Sequence, residues 1–419
     1  MPRTLVRAKA IVTCDTDAPQ NGITFAQLGL IENGEILVAD GIIKTVSSDA
    51  ALCHGEPVEP RPSLKPVLSE VEGRPAEIVD LQDCIIVPGF VDAHTHPLFA
   101  GMREPGQTML DTVRKTREAL KDPAAFWKII ETRLRLMLAH GTTTAEVKTG
   151  YALTKAGELQ LLDLIDSHKD DPALPRLVPT FLGAHAVPPE FATAEKYIEY
   201  LTADVLPEAK AHGAVYADAF CEPGFFSPAQ TLRYLEAARA HVLRLRVHCD
   251  EMEYSGAAKM AAKLGVDAVD HCNYIREEDI AAIVERGVVT VACPATIEYL
   301  DLPERAPVRA ILERGGTVAL ASDYNPGTSP CFNLQTVVYI GRRVFGLTAA
   351  EALYGVTIAA AKSLRVRAGR IRAGDPADFV ALQIGSPDEF GWQFGGNLAT
   401  AVYRSGERIA RICGDYSEK

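Results

Sequence analysis

The chain opens on short runs in which apolar and β-branched residues stand between turn signals: Arg7–Cys14, Gly29–Val38, Ile42–Val46 and Ile78–Leu81. Such runs predict strands. A stretch rich in Pro, Glu, Ser and Val, Glu56–Gly73, interrupts them. It has too little apolar surface for a packed face and is expected to be a surface insertion. From Ile85 the texture changes to strand followed by helix, repeatedly. After Ile85-Ile86-Val87 and a Pro88-Gly89 break, strand candidates recur at Thr142–Lys148, Arg176–His185, Ala214–Glu222, Arg244–Asp250, Ala268–Cys272, Val288–Pro294 and Thr317–Asp323. Between them lie helical patterns at Asp122–Ala139, Gly157–Ser167, Pro228–Ala240 and Gly256–Leu264. The first begins Asp122-Pro123, a capping residue followed by proline at the first helical position. Eight strands alternating with helices over roughly 250 residues predict a (β/α)8 TIM-like barrel. Helices are expected near Ala349–Ser363, and the tail returns to β at Ala377–Leu382 and Thr400–Ile412. The two β-rich termini, residues 1–84 and 370–419, most simply share one small β-sandwich domain beside a barrel of residues 85–369.

Composition narrows the class. At 419 residues and 47% hydrophobic, the chain can bury a sizeable core. A net charge of -12 argues against a nucleic-acid or anionic-membrane partner. No apolar stretch is long enough to cross a bilayer, and Met1–Arg7 lacks the apolar core of a secretion signal. The nine cysteines are scattered without Cys-x-x-Cys pairs. They read as reduced thiols of a cytoplasmic protein.

The chemistry gathers at strand ends. In Val91-Asp92-Ala93-His94-Thr95-His96, alternate residues of an extended chain share a face. His94 and His96 can therefore offer two imidazoles to one metal ion. Active sites of (β/α)8 barrels lie at the C-terminal ends of the strands. Those ends carry His185 on strand three, His248 and then Glu251 on strand five, His271 on strand six and Asp323 on strand eight. Any one of these histidines alone reads as a satisfied core or surface residue. Five of the ten in the chain at one rim read as a metal site. Three imidazoles and a carboxylate suit zinc or iron with one position left for water, and water on such an ion ionises near neutral pH. Asp323 is placed both to ligate the ion and to take the water's proton. His271 is placed to orient that water, and Glu251 to pass a proton to a substrate nitrogen. The competing reading of Glu251 is a carboxylate favoured at a helix start.

These segments resemble the amidohydrolase superfamily and, within it, the imidazolonepropionase family of histidine degradation. The resemblance is carried by Pro88–His96, His140–Tyr151, Thr180–Glu190, Phe220-Cys221-Glu222, His248–Glu251, Asp270-His271 and Ser322–Gly327. It implies that His94, His96, His248 and Asp323 hold one Zn2+ or Fe2+/Fe3+ ion per subunit. It implies further that Arg103 binds the imidazolone or propionate side of the substrate, with Tyr151 and His185 lining the same pocket. Asn325 and the Gly327-Thr328 backbone would contact the distal end, and Glu251 and His271 would serve proton transfer. Two-metal relatives place a carboxylated lysine on strand four. This chain has none there, and Lys148 ends strand two instead, so one metal is expected, with Glu222 structural. The chain departs from the family in the segment after Arg103. Only Glu104–Asp111 separate it from Thr112–Arg117, where the family has a longer loop bearing a substrate-facing tyrosine.

The activity this implies is hydrolysis of the cyclic amide 4-imidazolone-5-propanoate to N-formimidoyl-L-glutamate by a cytoplasmic homodimer. A related mononuclear amidohydrolase that deaminates or opens another small N-heterocycle is the alternative. A non-catalytic binding protein on a retired barrel would have lost ligands that are all present here.

Overall fold

The computed structural model describes residues 3–48 and 77–409. The Glu56–Gly73 insertion and the β segment expected beyond Ile409 lie outside the described residues. In chain order the strands are β1 (Thr4–Val12), β2 (Leu30–Ala39), β3 (Ile42–Ser48) and β4 (Glu77–Pro88), then β5 (Phe90–Asp92), β6 (Thr142–Lys148), β7 (Arg176–Ala184) and β8 (Tyr216–Cys221). They continue with β9 (Arg244–Cys249), β10 (Ala268–His271), β11 (Val289–Ala292), β12 (Thr317–Leu320), β13 (Phe379–Leu382), β14 (Ala399–Arg404) and β15 (Glu407–Arg408).

Two sheets result. Strands β5 to β12 form one eight-stranded sheet in sequence order, and every neighbouring pair is parallel. Helices fill the crossovers, which makes this the (β/α)8 barrel that the alternation predicts. The other sheet has seven strands in the order β15-β14-β13-β4-β1-β2-β3 and draws on both termini. Within it only β1 and β4 run parallel.

The sequence pattern divides Ile78–Leu81 from Ile85-Ile86-Val87, but the two are one strand, β4. Its apolar run follows from burial on both faces. Cys84 and Ile86 pack with Val6, Ile36 and Phe379 in the core of the terminal sheet. Ile85 and Val87 point the opposite way into the main core, as the two-residue period of a strand requires. The chain then crosses to the barrel at Gly89, whose N–H donates to the Asp378 carbonyl at 3.0 Å. A Cβ at Gly89 would strike the Thr143 side chain, so the crossing needs glycine for close approach.

The barrel closes past the ends of its first and last strands. Thr95 and Tyr324 form an isolated parallel bridge. His96 N–H donates to the Tyr324 carbonyl at 2.9 Å and Asp323 N–H to the His94 carbonyl at 3.0 Å. The Asp92 carboxylate accepts from Ser322 N–H at 3.0 Å. Two helices lie between β5 and β6: α1 (Met109–Ala119) and α2 (Pro123–Ala139). Asp122 caps α2 by accepting from Ala125 N–H, as its Asp-Pro start predicts. From α2 the buried Arg133 donates to the carbonyls of Pro97 and Phe99 at 2.9 and 2.6 Å and lies 3.6 Å above the Phe99 ring. It thereby fixes the turn that leaves His96. Among the described residues no helix is long and apolar enough to cross a membrane.

Candidate active site

All five strand-end histidines meet at the C-terminal rim. The ring centroids of His94 lie 5.0 Å from His96, 4.4 Å from His248 and 5.0 Å from His271. His185 stacks on His96 at 5.2 Å. β5 ends at Asp92, so His94 and His96 stand just beyond the strand, yet they keep the shared direction that the two-residue spacing implies. The expected strand Thr317–Asp323 stops at Leu320, and Asp323 sits in a turn at φ 50°. His271 has φ 70°. In a regular strand Asp270 and His271 would face opposite sides. This positive φ lets both reach the site, and strained residues of this kind gather at functional positions.

The nitrogens dictate what the site can hold. His94 Nδ1 lies 2.8 Å from Asp270 Oδ2, and His248 Nδ1 lies 3.0 Å from Asp218 Oδ2. A carboxylate only accepts, so His94 carries its proton on Nδ1 and turns a bare Nε2 inward, and the charge of Asp218 favours the same tautomer of His248. His94 Nε2 and His248 Nε2 lie 3.1 and 3.3 Å from His96 Nε2. His96 could donate to one of them at most. Asp323 Oδ1 adds negative charge 3.4 Å from both His94 Nε2 and His96 Nε2. Burial holds His94, His96 and His271 well below the ordinary imidazole range, so their rings are neutral at physiological pH. Converging lone pairs beside a carboxylate are mutually repulsive without a cation between them. The donor set thus fits a divalent ion with nitrogen and oxygen ligands. The donor atoms of His94, His96 and Asp323 lie within 4.8 Å of one another, as do those of His94, His248 and His271.

Beneath the imidazoles lies a layer of charge, of which the sequence pattern marks only Lys148 at a strand end and Asp270 beside His271. Glu146, Lys148, Asp218, Arg246 and Asp270 are all fully buried inside the barrel. Lys148 Nζ donates to Asp218 at 2.6 Å and Glu146 at 2.8 Å, and lies 3.5 Å from Asp270. Arg246 pairs with Asp270 at 2.9 Å and Glu146 at 3.2 Å. Burial opposes the charge on Lys148, but the three carboxylates outweigh it and raise its pKa. Burial likewise opposes ionisation of Asp218, yet His248, Lys148 and Arg246 hold it well below the usual carboxylate range. The two acids that orient His94 and His248 are therefore themselves held by cations. A signal was available: Arg246 stands two residues before His248, and Lys148 two after Glu146, inside strands expected to line a barrel interior. A charge there must be paired.

A cavity of about 240 Å³ opens above the histidines. His96, His185, His248, His271 and Asp323 form its base. Arg103, Tyr151, Glu251, Asn325 and Thr328 line it too, joined by Met109, Phe220, Phe225 and Met252, an apolar wall absent from the sequence reading. His94 lies behind this lining, and Gly327 is covered by Arg103. His185 Nδ1 lies 3.1 Å from the Gly150 carbonyl, and burial pushes its pKa down to about 3. Glu251 is not at a helix start; the next helix begins six residues later, at Ala257. Its peptide is gripped on both sides, with its N–H on the Glu222 carboxylate and its carbonyl accepting from Asn273 Nδ2 at 2.9 Å. Its side chain lies 3.6 Å from His271 Nε2. Burial, then the nearby charges of Asp323 and Glu222, push its pKa well above the carboxylate range. Burial also raises Asp323 to about 6, against the Thr296 hydroxyl that donates to its Oδ2 at 2.7 Å.

Comparison with known proteins agrees with this geometry. Residues 85–408 match the model of the amidohydrolase family. The chain is 38% identical to an imidazolonepropionase of Rubrobacter xylanophilus over 396 residues, covering 89% of this chain and 92% of that one. It is 35% identical to an imidazolonepropionase of Parabacteroides distasonis, covering 96% and 97%. Among solved structures, guanine deaminase of E. coli superposes with a TM-score of 0.72 at 18% identity over 98% of this chain and 99% of that one, a likeness of fold. The chain belongs to the amidohydrolase family and, within it, to the imidazolonepropionases.

Proposed function

We propose that this chain opens the ring of 4-imidazolone-5-propanoate with water to give N-formimidoyl-L-glutamate, using one Zn2+ or iron ion per subunit. The observation that carries the reading is the set of bare imidazole nitrogens turned on one point beside Asp323, at the base of a cavity with a guanidinium at its mouth. His94, His96, His248 and Asp323 would hold the ion. Bound there, it supplies a Lewis acid for the ring carbonyl and water that ionises near neutral pH. Asp323, buried and with a pKa of about 6, takes the proton of the attacking water. Glu251, whose carboxyl burial pushes well above the usual carboxylate range, delivers a proton to the departing ring nitrogen, while His271 beside it orients the water. A carbon–oxygen bond forms, the ring carbon–nitrogen bond breaks, and the proton ends on nitrogen. Arg103 pairs with the propionate carboxylate through its planar fork. Tyr151, His185 and Thr328 close the pocket around the ring, and Asn325 and Gly327 shape its distal end. The cavity is smaller than the roughly 300–1,000 Å³ of drug-sized sites, which suits so small a substrate.

The barrel, residues 85–369, carries this chemistry, and the composite domain of residues 1–84 and 370–419 supports it. We place the enzyme in the cytoplasm as a homodimer. Cys249 and Cys272 stay free thiols with sulfurs 3.7 Å apart, which suits a reducing compartment. The test is an ultraviolet assay of imidazolone consumption on metal-analysed protein. Turnover with one tightly held metal per chain is expected. Two such metals would overturn the mononuclear assignment. The short segment after Arg103 favours the second reading, action on another small N-heterocycle. Metal-replete protein inert on the imidazolone but active on a panel of cyclic amides and amino-heterocycles would establish it.

A further inference from the structure

We propose that Gly327 and Thr112 are positioning residues for substrate recognition. Together they set the Arg103 guanidinium over the mouth of the pocket, Gly327 by means of the side chain it lacks. The proposal rests on the reading of Arg103 as the anchor of the substrate carboxylate.

Arg103 belongs to the irregular segment that follows His96, and its neighbour Met102 is exposed. Nothing in the local backbone fixes so long a side chain. Two other segments do. Arg103 N–H donates to the Pro326 carbonyl at 3.0 Å. Its guanidinium then lies against the α-carbon of Gly327. A Cβ there would fall within 2.8 Å of Nε and closer still to Cζ and Nη1. The Gly327 backbone lies outside the left-handed region, so what a side chain there would disturb is the seat of the Arg103 guanidinium, which it would push aside.

The shelf under the guanidinium is braced by the Asn325 side chain. Asn325 Oδ1 accepts from Gly327 N–H at 2.8 Å and Thr328 N–H at 2.7 Å. Asn325 Nδ2 donates to the Asp323 carbonyl and to Thr328 Oγ1, each at 2.7 Å. The whole amide is spent on its own loop, and that loop continues directly from Asp323. The other side of Arg103 is held by α1. Arg103 Nε donates to Thr112 Oγ1 at 3.5 Å. One turn along the same face, Lys115 Nζ donates to the Met102 carbonyl at 3.0 Å and Thr116 Oγ1 accepts from Ala100 N–H at 3.1 Å. The few residues between Arg103 and α1 are what bring this face within reach.

The chemistry follows from which nitrogens are engaged. Thr112 takes Nε, and no protein group among the described residues takes Nη1 or Nη2. The terminal edge of the fork is left for a planar carboxylate. Its charge already bears on Tyr151 and His185, which line the same cavity. Recognition is therefore pre-organised before substrate arrives, and this lowers the ordering cost of binding.

The test is steady-state kinetics on 4-imidazolone-5-propanoate for wild type, Arg103→Met, Gly327→Ala, Thr112→Val and the double variant Gly327→Ala/Arg103→Met, with metal content and melting temperature measured on each. Gly327→Ala is expected to raise KM by about tenfold, the scale of one charge-assisted hydrogen bond, with kcat nearly unchanged. Thr112→Val should move KM the same way by a smaller factor. On the Arg103→Met background the alanine should add nothing, because the group it displaces is gone. An equal effect of Gly327→Ala on both backgrounds would overturn the proposal, since the loop itself would then be at fault. So would wild-type KM in Gly327→Ala alongside a raised KM in Arg103→Met. A wild-type KM in Arg103→Met would instead bring down the anchor reading, and the positioning role with it. Should Gly327→Ala fail to fold, Thr112→Val against Arg103→Met and their double variant decides in the same way.

Discussion

The base of the pocket and its mouth are built on opposite plans. At the base, Glu146, Lys148, Asp218, Arg246 and Asp270 project from four strands of the barrel, β6, β8, β9 and β10, and all are wholly buried. Each imidazole they support is fixed by a carboxylate that is fixed in turn by a cation. At the mouth, Arg103, Met109 and Met252 come from loops or a helix start. Met252 is 42% exposed, and Arg103 is held by a few contacts from two other segments. Reacting groups require sub-ångström constancy, which strands with paired charges supply. Recognition tolerates more motion and sits on segments that can be altered without disturbing the sheet. Changes at the base should therefore register as lost metal and lost stability, and changes at the mouth as KM.

His248→Ala should be the most severe, with loss of both metal and activity in elemental analysis and assay. Full metal occupancy in this variant would dissolve the distinction at its centre. Glu251→Gln is expected to keep its metal and lose about 10²–10⁴-fold in kcat. Turnover within a few-fold of wild type would reduce Glu251 to a structural carboxylate. Lys148→Met touches no candidate ligand, yet it leaves Asp218 and Asp270 short of a cation. Metal affinity, read by chelator competition, should fall about 10–100-fold, and the apo protein should melt earlier because a buried ion network has lost a partner. Unchanged metal affinity would show that the charged layer serves folding alone. Met252→Ala should shift KM by a few-fold at most while leaving metal and melting temperature alone; early melting would move Met252 into the base.

The smallest effect concerns pH. Burial raises the Glu222 pKa from 4.5 to about 7. Between those values the folded protein keeps a proton that the unfolded chain releases, so stability from this group is present below about 4.5 and is lost as pH rises towards 7. In metal-free protein, the melting temperature of wild type relative to Glu222→Gln should decline across that window. A constant difference would mean that Glu222 is ionised throughout.

The sequence announced the base of the site only in part. His94, His96, His248 and Asp323 were legible because their residue types are rare at strand ends and recur there. Helix Pro228–Ala240 was legible to the residue because Ser227, Pro228 and Gln230 form a capping box with proline at the first position. Helix α1 was not seen: Met109–Ala119 is largely polar, and only Thr112, Val113 and Thr116 are buried. Arg246 escaped notice because its partners Glu146 and Asp270 stand on other strands, and for Lys148 the spacing displays only Glu146 on its own strand, not the approach to Asp218 and Asp270. For the same reason Met252 and Phe225 give no local sign that they wall the pocket.

The seam between the first and last barrel strands has a consequence for how the enzyme assembles. Asp92 and Ser322, joined across it, are 230 residues apart in the chain. The amides that close it belong to His96 and Asp323, whose side chains would also grip the ion. Contacts between such distant residues slow folding, and this closure is expected to come late. Nascent or newly refolded chains would therefore acquire metal only once the ring is complete. In hydrogen exchange, the His96 and Asp323 amides would open together, and added zinc would slow both by the same factor.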